Sequence, residues 1–335
     1  MSAAAKHQSI AHSPSAATHH KASLRRERIL DECLSVMLVR CAERVDRVFP
    51  EYLRCSIDTA GRYHATDLNE PPQLLERVVG AAEFMDDAPV TEIGAITARM
   101  LGRGVQMTNL PVLAVISSPA LRCVQTASAL VSSLHHPMKI AIEPALFDYG
   151  GWYQRTPSFL QSATAYKCNV DLPPTDKYYK PMAAYKHIND YIHKRQSEKK
   201  TKQSGASNSA FRIGSQGESV EEYYQRVQTT IKHIVKQWAK QRGLIIVVGH
   251  ASTVDASARA LVGRAPSSVT EDNLDHIGAH YPYCCALTLA KHNPKVQKIL
   301  KKKEKIDWSF VKDLVPPISY VGYSNRVNAR FLNRD

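Results

Sequence analysis

Arg40 and Arg44 flank Cys41, Arg122 follows a Ser117-Ser118-Pro119 run by three residues, and His250 closes the run Val248-Gly249-His250. These residue types suit one chemistry in particular. Guanidinium groups stay charged at any physiological pH and match phosphate oxygens two at a time, so three arginines and a histidine that converge make a strong dianion site. Taken singly, each has a blander reading: an arginine after a strand is more often a surface ion pair, and a lone histidine is usually structural. Convergence therefore has to come from the elements that carry them.

Each polar run follows an apolar one. Residues 34–39 (LSVMLV) lead into Arg40-Cys41-Ala42-Glu43-Arg44, residues 112–116 into Ser117-Ser118-Pro119, and residues 244–248 into Gly249-His250-Ala251-Ser252. Short continuous apolar runs of this kind read as strands buried on both faces. The later two are followed by helical spacing over 120–134 and 254–262, the second closed by Gly263. Further helices are predicted over 91–102, opened by Thr91-Glu92, and over 219–242, with acids in the first turn. Strand, polar loop, helix is the pattern of an α/β fold, here a three-layer α/β/α sandwich with a largely parallel central sheet. In such sheets ligands gather where loops leave the carboxyl ends of the strands, which would pool the three polar runs in one place.

The rest of the chain is organised around that unit. Residues 1–32 hold few large apolar side chains and are expected to be disordered, and one domain is expected over 33–335. Two irregular stretches, about 47–88 and 149–216, read as insertions over the carboxyl edge of the sheet, the second with a flexible Lys/Ser-rich part over about 194–216. No apolar run is long enough to span a membrane and the N-terminus lacks an apolar signal core, so the expected location is cytoplasmic. Seven scattered cysteines without CxxC spacing suggest reduced thiols, small buried hydrophobes in every case but Cys41.

The run Arg40-Cys41-Ala42-Glu43-Arg44 resembles the Arg-His-Gly-Glu-Arg signature of the histidine phosphatase, phosphoglycerate-mutase-like superfamily, with Cys and Ala standing for His and Gly. The run from Ser117 through Arg122 to Gln125-Thr126-Ala127 resembles that family's second motif, and Val248-Gly249-His250 the third. Arg44-Val45-Asp46, the Ala-Leu-Arg-Cys-Val-Gln-Thr-Ala run and the tail with Trp308, Pro316-Pro317 and Phe331 are similar to the phosphatase domain of the ubiquitin-associated and SH3 domain-containing proteins, also called suppressors of T-cell receptor signalling. The resemblance implies that Arg40, Arg44, Arg122 and His250 hold a phosphoryl group, that Cys41 occupies the nucleophile position and that Glu143 is the general acid. It also implies no metal or organic cofactor, and a possible homodimer.

Cys41 is where the chain departs from the pattern. In the family an imidazole nitrogen attacks phosphorus to give a phosphohistidine. A cysteine sulfur ends about 1.5 Å nearer the backbone, and a misplacement of about 1 Å can cost on the order of 100-fold in rate. Ala42 adds a methyl group where glycine lets backbone approach phosphate. The expectation is a pseudophosphatase that binds a phosphate ester or a phosphotyrosine protein; the alternative is a working phosphomonoesterase, of protein tyrosine phosphatase type, with residual or Cys-based catalysis. A second alternative comes from charge. Of a formal +13, most sits in residues 177–202, with eight Lys/Arg against two acids, and 291–305, with seven against one. A basic interaction protein for nucleic acid or acidic membrane would use them, although nothing in the sequence specifies nucleic acid.

Overall fold

The computed structural model describes residues 33–77, 80–153, 166, 168–171, 218–264, 270–291 and 307–327. Seven strands make one sheet: β1 (Leu34–Arg40), β2 (Val112–Ser117), β3 (Ile140–Ile142), β4 (Val170–Asp171), β5 (Gly243–Gly249), β6 (Ala286–Lys291) and β7 (Trp308–Val311). Their order is β4-β3-β2-β5-β1-β6-β7. The first five in that order run parallel, and β6 and β7 close one edge antiparallel. A two-stranded hairpin of β8 (Ser319–Tyr320) and β9 (Tyr323–Ser324) stands apart from the sheet.

Layering follows from the period of two along a strand. Val36 and Leu38 face one core, shared with Tyr223, Ile231 and Val254, whereas Met37 and Val39 face another, shared with Leu101, Leu121 and Val124. Each such side chain taken fully out of water contributes about 1.5–3 kcal/mol, so both faces must be covered. Helices Glu92–Gln106 and Leu121–Val131 cover one side, and helices Val220–Gln237 and Ala251–Leu261 the other. The first pair approaches closely at Gly102, where an added Cβ would fall 2.1 Å from the Leu130 carbonyl oxygen.

Helix starts fall where side chains can take up free N–H groups. Thr91 accepts from the Gly94 amide, and Ser219 with Glu222 forms a reciprocal capping box. The helix predicted over 91–102 continues to Gln106, because apolar spacing persists through Val105, and the one predicted over 120–134 stops at Val131. The stretch 47–88 is less irregular than its composition suggests: single helical turns at Val45–Val48 and Tyr52–Cys55 and a 3-10 helix at Ala81–Met85 order it, pinned by a buried Arg77–Asp87 ion pair at 2.8 Å. The disorder expected over 1–32, the flexible part over 194–216 and the basic runs 177–202 and 292–305 lie outside the described residues. Among the described residues no helix is long and apolar enough to cross a membrane.

Candidate functional site

β1, β2 and β5 end side by side. The amide of Cys41 donates to the Gly249 carbonyl at 2.8 Å and that of Ser118 to the Val248 carbonyl at 2.9 Å, so the three polar runs leave the sheet tied together by backbone. They open on a cavity of about 640 Å³. Arg40, Cys41, Arg44, Arg122, Asp148 and His250 line its floor, and Met85, Trp152, Tyr153, Leu274, Ile277 and Tyr283 are among its walls. Charged side chains, Arg47, Asp86 and Asp275 included, outweigh the apolar and aromatic ones in this lining.

The arginines are held in different ways. Arg40 donates to the carbonyls of Gly278 (3.0 Å) and Tyr281, and its guanidinium lies 3.9 Å from the centre of the Tyr283 ring. Arg44 forms a two-pronged pair with Asp46 at 2.9 and 2.6 Å. Arg122 is fully buried. Its Nη2 donates to Asp148 Oδ2 at 2.8 Å and to the Tyr153 hydroxyl at 3.0 Å, while Nε and Nη1 find no partner among the described residues. Buried donors are almost always satisfied, because an unmet one costs about 1–3 kcal/mol. Two unmet donors on one buried cation call for an anion.

His250 sits between a carboxylate and a hydroxyl. Nδ1 is 3.1 Å from Asp148 Oδ2, and Nε2 is 2.9 Å from Ser118 Oγ. Nδ1 also lies 3.2 Å from Arg122 Nη2, a donor, and the direction of the Ser118–Nε2 hydrogen bond follows the tautomer of the ring. Burial, with Arg122 adding to it against the pull of Asp148, holds the imidazole below its ordinary pKa. Burial would raise the Asp148 carboxyl, but His250, Arg122 and Arg44 outweigh it and hold the group below the usual carboxylate range. The Cys41 thiol lies well below its ordinary value, through a hydrogen bond from Cys123 first, against burial, and then through His250 and Arg122. Burial and the neighbouring Cys41 push the Cys123 thiol up.

Glu143 is placed elsewhere. Its carboxylate turns back onto the chain, Oε1 accepting from the Ala145 amide at 2.9 Å as the cap of the 3-10 turn Pro144–Leu146, and it is not among the residues that line the cavity. The acid on the cavity floor is Asp148, which sequence reasoning passed over, as it did Ser118, Tyr153 and Cys123. For Glu143 a local signal existed: a carboxylate directly before a proline at the first helical position reads as a cap. For Asp148 the only signal is a position five residues further along the loop after β3. Ala42, expected to crowd bound phosphate, spends its amide on Thr126 Oγ1 at 2.9 Å.

A family model described as the histidine phosphatase superfamily (branch 1) matches residues 73–181 and 182–281. That span includes Arg122, Asp148 and His250 and begins after Arg40, Cys41 and Arg44. Ubiquitin-associated and SH3 domain-containing protein A of Homo sapiens is 29% identical over 239 residues, 69% of this chain and 32% of that protein. Protein B of the same kind from Mus musculus is 30% identical over 241 residues, 70% of this chain and 33% of that protein. An ecdysteroid-phosphate phosphatase of Drosophila melanogaster is 29% identical over 259 residues, 76% of this chain and 30% of that protein. The chain spans about a third of the length of the curated relatives it matches. Among solved structures, the ecdysone phosphate phosphatase of Bombyx mori in complex with tungstate superposes with a TM-score of 0.59 at 24% identity, covering 89% of this chain and 99% of that one, a likeness of fold.

Proposed function

We propose that this chain, which belongs to the histidine phosphatase superfamily, binds a phosphate ester or a phosphotyrosine side chain and turns it over poorly or not at all. The observation that carries the reading is the pair of unmet donors on fully buried Arg122. Phosphate oxygens would satisfy both, with Arg44 and Arg40 on the same floor to share a dianion. A cavity of about 640 Å³ leaves room beyond the phosphate for an apolar or aromatic group against Trp152, Tyr153 and Tyr283. The relatives named for phosphatase activity on an ecdysteroid phosphate support the same ligand class.

Inertness is supported by chemistry at two positions. Cys41 lies in the run that resembles the family's first motif, at the place of its histidine, and its shorter reach makes in-line attack on phosphorus unfavourable. Asp148, the acid on the cavity floor, is held ionised by cations around it and so has no proton ready for a leaving oxygen. One observation favours a second reading, in which Cys41 is itself the nucleophile: its thiol is held well below the ordinary value, as in enzymes that work through a thiolate.

The test is paired. Inorganic phosphate at about 100 times its dissociation constant should stabilise the wild type by about 2.7 kcal/mol, a rise of a few degrees in Tm, and Arg122→Met should lose that rise. Aryl-phosphate hydrolysis should be silent in the wild type and gained in Cys41→His. A wild type whose Tm ignores phosphate overturns the binding reading. Turnover by the wild type that Cys41→Ser abolishes establishes the thiolate enzyme in its place.

A further inference from the structure

We infer that Cys41, Cys123 and His250 form a binding site for one transition-metal ion of borderline or soft character, zinc(II) foremost, at the floor of the cavity. The two sulfurs and an imidazole nitrogen all lie within 4.8 Å of one another, and all three residues are buried. The Cys123 sulfur is 3.8 Å from each ring nitrogen of His250. With zinc–sulfur bonds of about 2.3 Å and zinc–nitrogen bonds of about 2.0–2.1 Å, tetrahedral ligands sit about 3.6 Å apart, so the separations have to close by at most about 1.2 Å around an ion. Two thiolates and an imidazole select zinc or copper(I) over magnesium or calcium, which take oxygen ligands.

Three separate elements deliver these ligands: the end of β1, the first turn of the helix Leu121–Val131, and the end of β5. Sites carried by such rigid elements hold their geometry better than sites on loops. The surroundings also suit a metal. With Nε2 on the ion, Nδ1 carries the proton, and Asp148 Oδ2, 3.1 Å away, is placed to receive it, as in the carboxylate–histidine arrangement behind ligating imidazoles. Ser118 Oγ, 2.9 Å from Nε2, is the group that gives way. Asp148 also offsets the charge of Arg122, to which it is paired at 2.8 Å. Any proton still on either sulfur passes to the buffer as the ion binds.

Ligand count sets the character of the site. Cys41 and His250 line the cavity and Cys123 stands behind them, so a bound ion would have three protein ligands and a fourth position open to the cavity. This inference is independent of the phosphate reading: it needs neither Nε nor Nη1 of Arg122, and Cys123 is not in the cavity lining.

Cobalt(II) is the direct probe. The full chain, purified under a reductant that does not bind metals and freed of metal by chelation, is titrated with cobalt(II) and then zinc(II). One equivalent is expected to produce thiolate-to-cobalt charge-transfer absorption and tetrahedral ligand-field bands, both erased by zinc. Cys41→Ser and Cys123→Ser should each weaken binding at least tenfold, and Asp148→Asn by about 10–100-fold. X-ray absorption of the zinc-loaded wild type, which depends on no variant, should count two sulfurs and one imidazole. An oxygen- and nitrogen-only shell in wild type overturns the inference, as does charge-transfer absorption that survives unchanged in both cysteine variants while each retains cooperative thermal unfolding.

Discussion

Among the described residues two arginines are fully buried, Arg122 and Arg226, and they differ in what they leave undone. Arg226 spends all three nitrogens. Nε and Nη2 clasp Glu218 at 2.7 and 2.8 Å, Nη1 donates to the carbonyls of Ala145 and Phe147 at 2.8 Å each, and Nη2 also reaches the Asp148 carbonyl at 3.2 Å. Arg122 spends only Nη2. The two meet on one loop, Arg226 holding the backbone of Asp148 and Arg122 its carboxylate. Burial of a charge is therefore no mark of a site by itself. The mark is the shortfall in partners: Arg226 builds the loop that presents Asp148, and Arg122 is built to receive something.

The largest effect should come from breaking the satisfied partner. Arg226→Met takes the cation from buried Glu218 and leaves it only the Gly150 amide, an arrangement that costs about 3–5 kcal/mol, and urea unfolding should register it as a lower midpoint at an unchanged slope. Adding Glu218→Gln should recover part of that loss, since the stranded charge goes with it. Arg122→Met should cost less in the absence of ligand, because it removes two donors that were unmet. A larger loss at Arg122 than at Arg226 would overturn the contrast drawn between them.

A smaller effect reads the field that Arg122 contributes to Cys41. Alkylation by iodoacetamide, followed by mass spectrometry at neutral pH, should modify Cys41 well ahead of Cys284 and Cys285, whose thiols burial pushes up to about 12. Phosphate should protect Cys41 and leave exposed Cys55 unaffected. In Arg122→Met both the rate at Cys41 and its protection should fall. Equal labelling of Cys41 and Cys284 would leave the depressed thiol without support.

How far the sequence discloses this contrast depends on how local each signal is. β1, β2 and β5 are continuous apolar runs because both faces of the sheet are covered, and such runs are legible without knowledge of the partner strands. The outer strands β3, β4, β6 and β7 are short or mixed in polarity and derive their pairing from neighbours too distant along the chain to be joined by a tight turn. Arg40, Arg44 and His250 sit at the ends of legible strands or just after one, Arg122 in the first turn of the helix that follows β2, and all four line one cavity. Asp148 reaches it only because Arg226, nearly eighty residues later, holds the carbonyls of its loop, and no local pattern announces that. Cys123 faces Cys41 and His250 because its helix packs against β2 and β5, so its place is a product of packing. Glu143 misleads for the opposite reason: its loop suggests an acid near phosphate, while its immediate neighbour Pro144 assigns it a backbone cap.

Asp87 offers the finest probe of the unspent charge on Arg122. Its carboxyl is buried, pairs with Arg77 at 2.8 Å and accepts the Leu121 amide at 2.8 Å, one residue before Arg122. Burial raises its pKa above the ordinary carboxylate value, with Arg77 and Arg122 opposing that rise. The folded chain therefore holds this proton more tightly than the unfolded chain does. Between the unfolded value, about 3.9, and the raised folded value, the native state carries more protons, so this contribution to stability declines as pH rises through that window and is flat above it. Urea melts across mildly acidic pH should show wild type losing ground to Asp87→Asn over that interval, and a difference that grows in favour of wild type would give the shift the wrong sign. Removing Arg122 takes away one of the two cations that oppose burial. In Arg122→Met the declining interval should therefore extend to higher pH, which would show that the charge Arg122 holds in reserve for a ligand is felt by the protein even when none is bound.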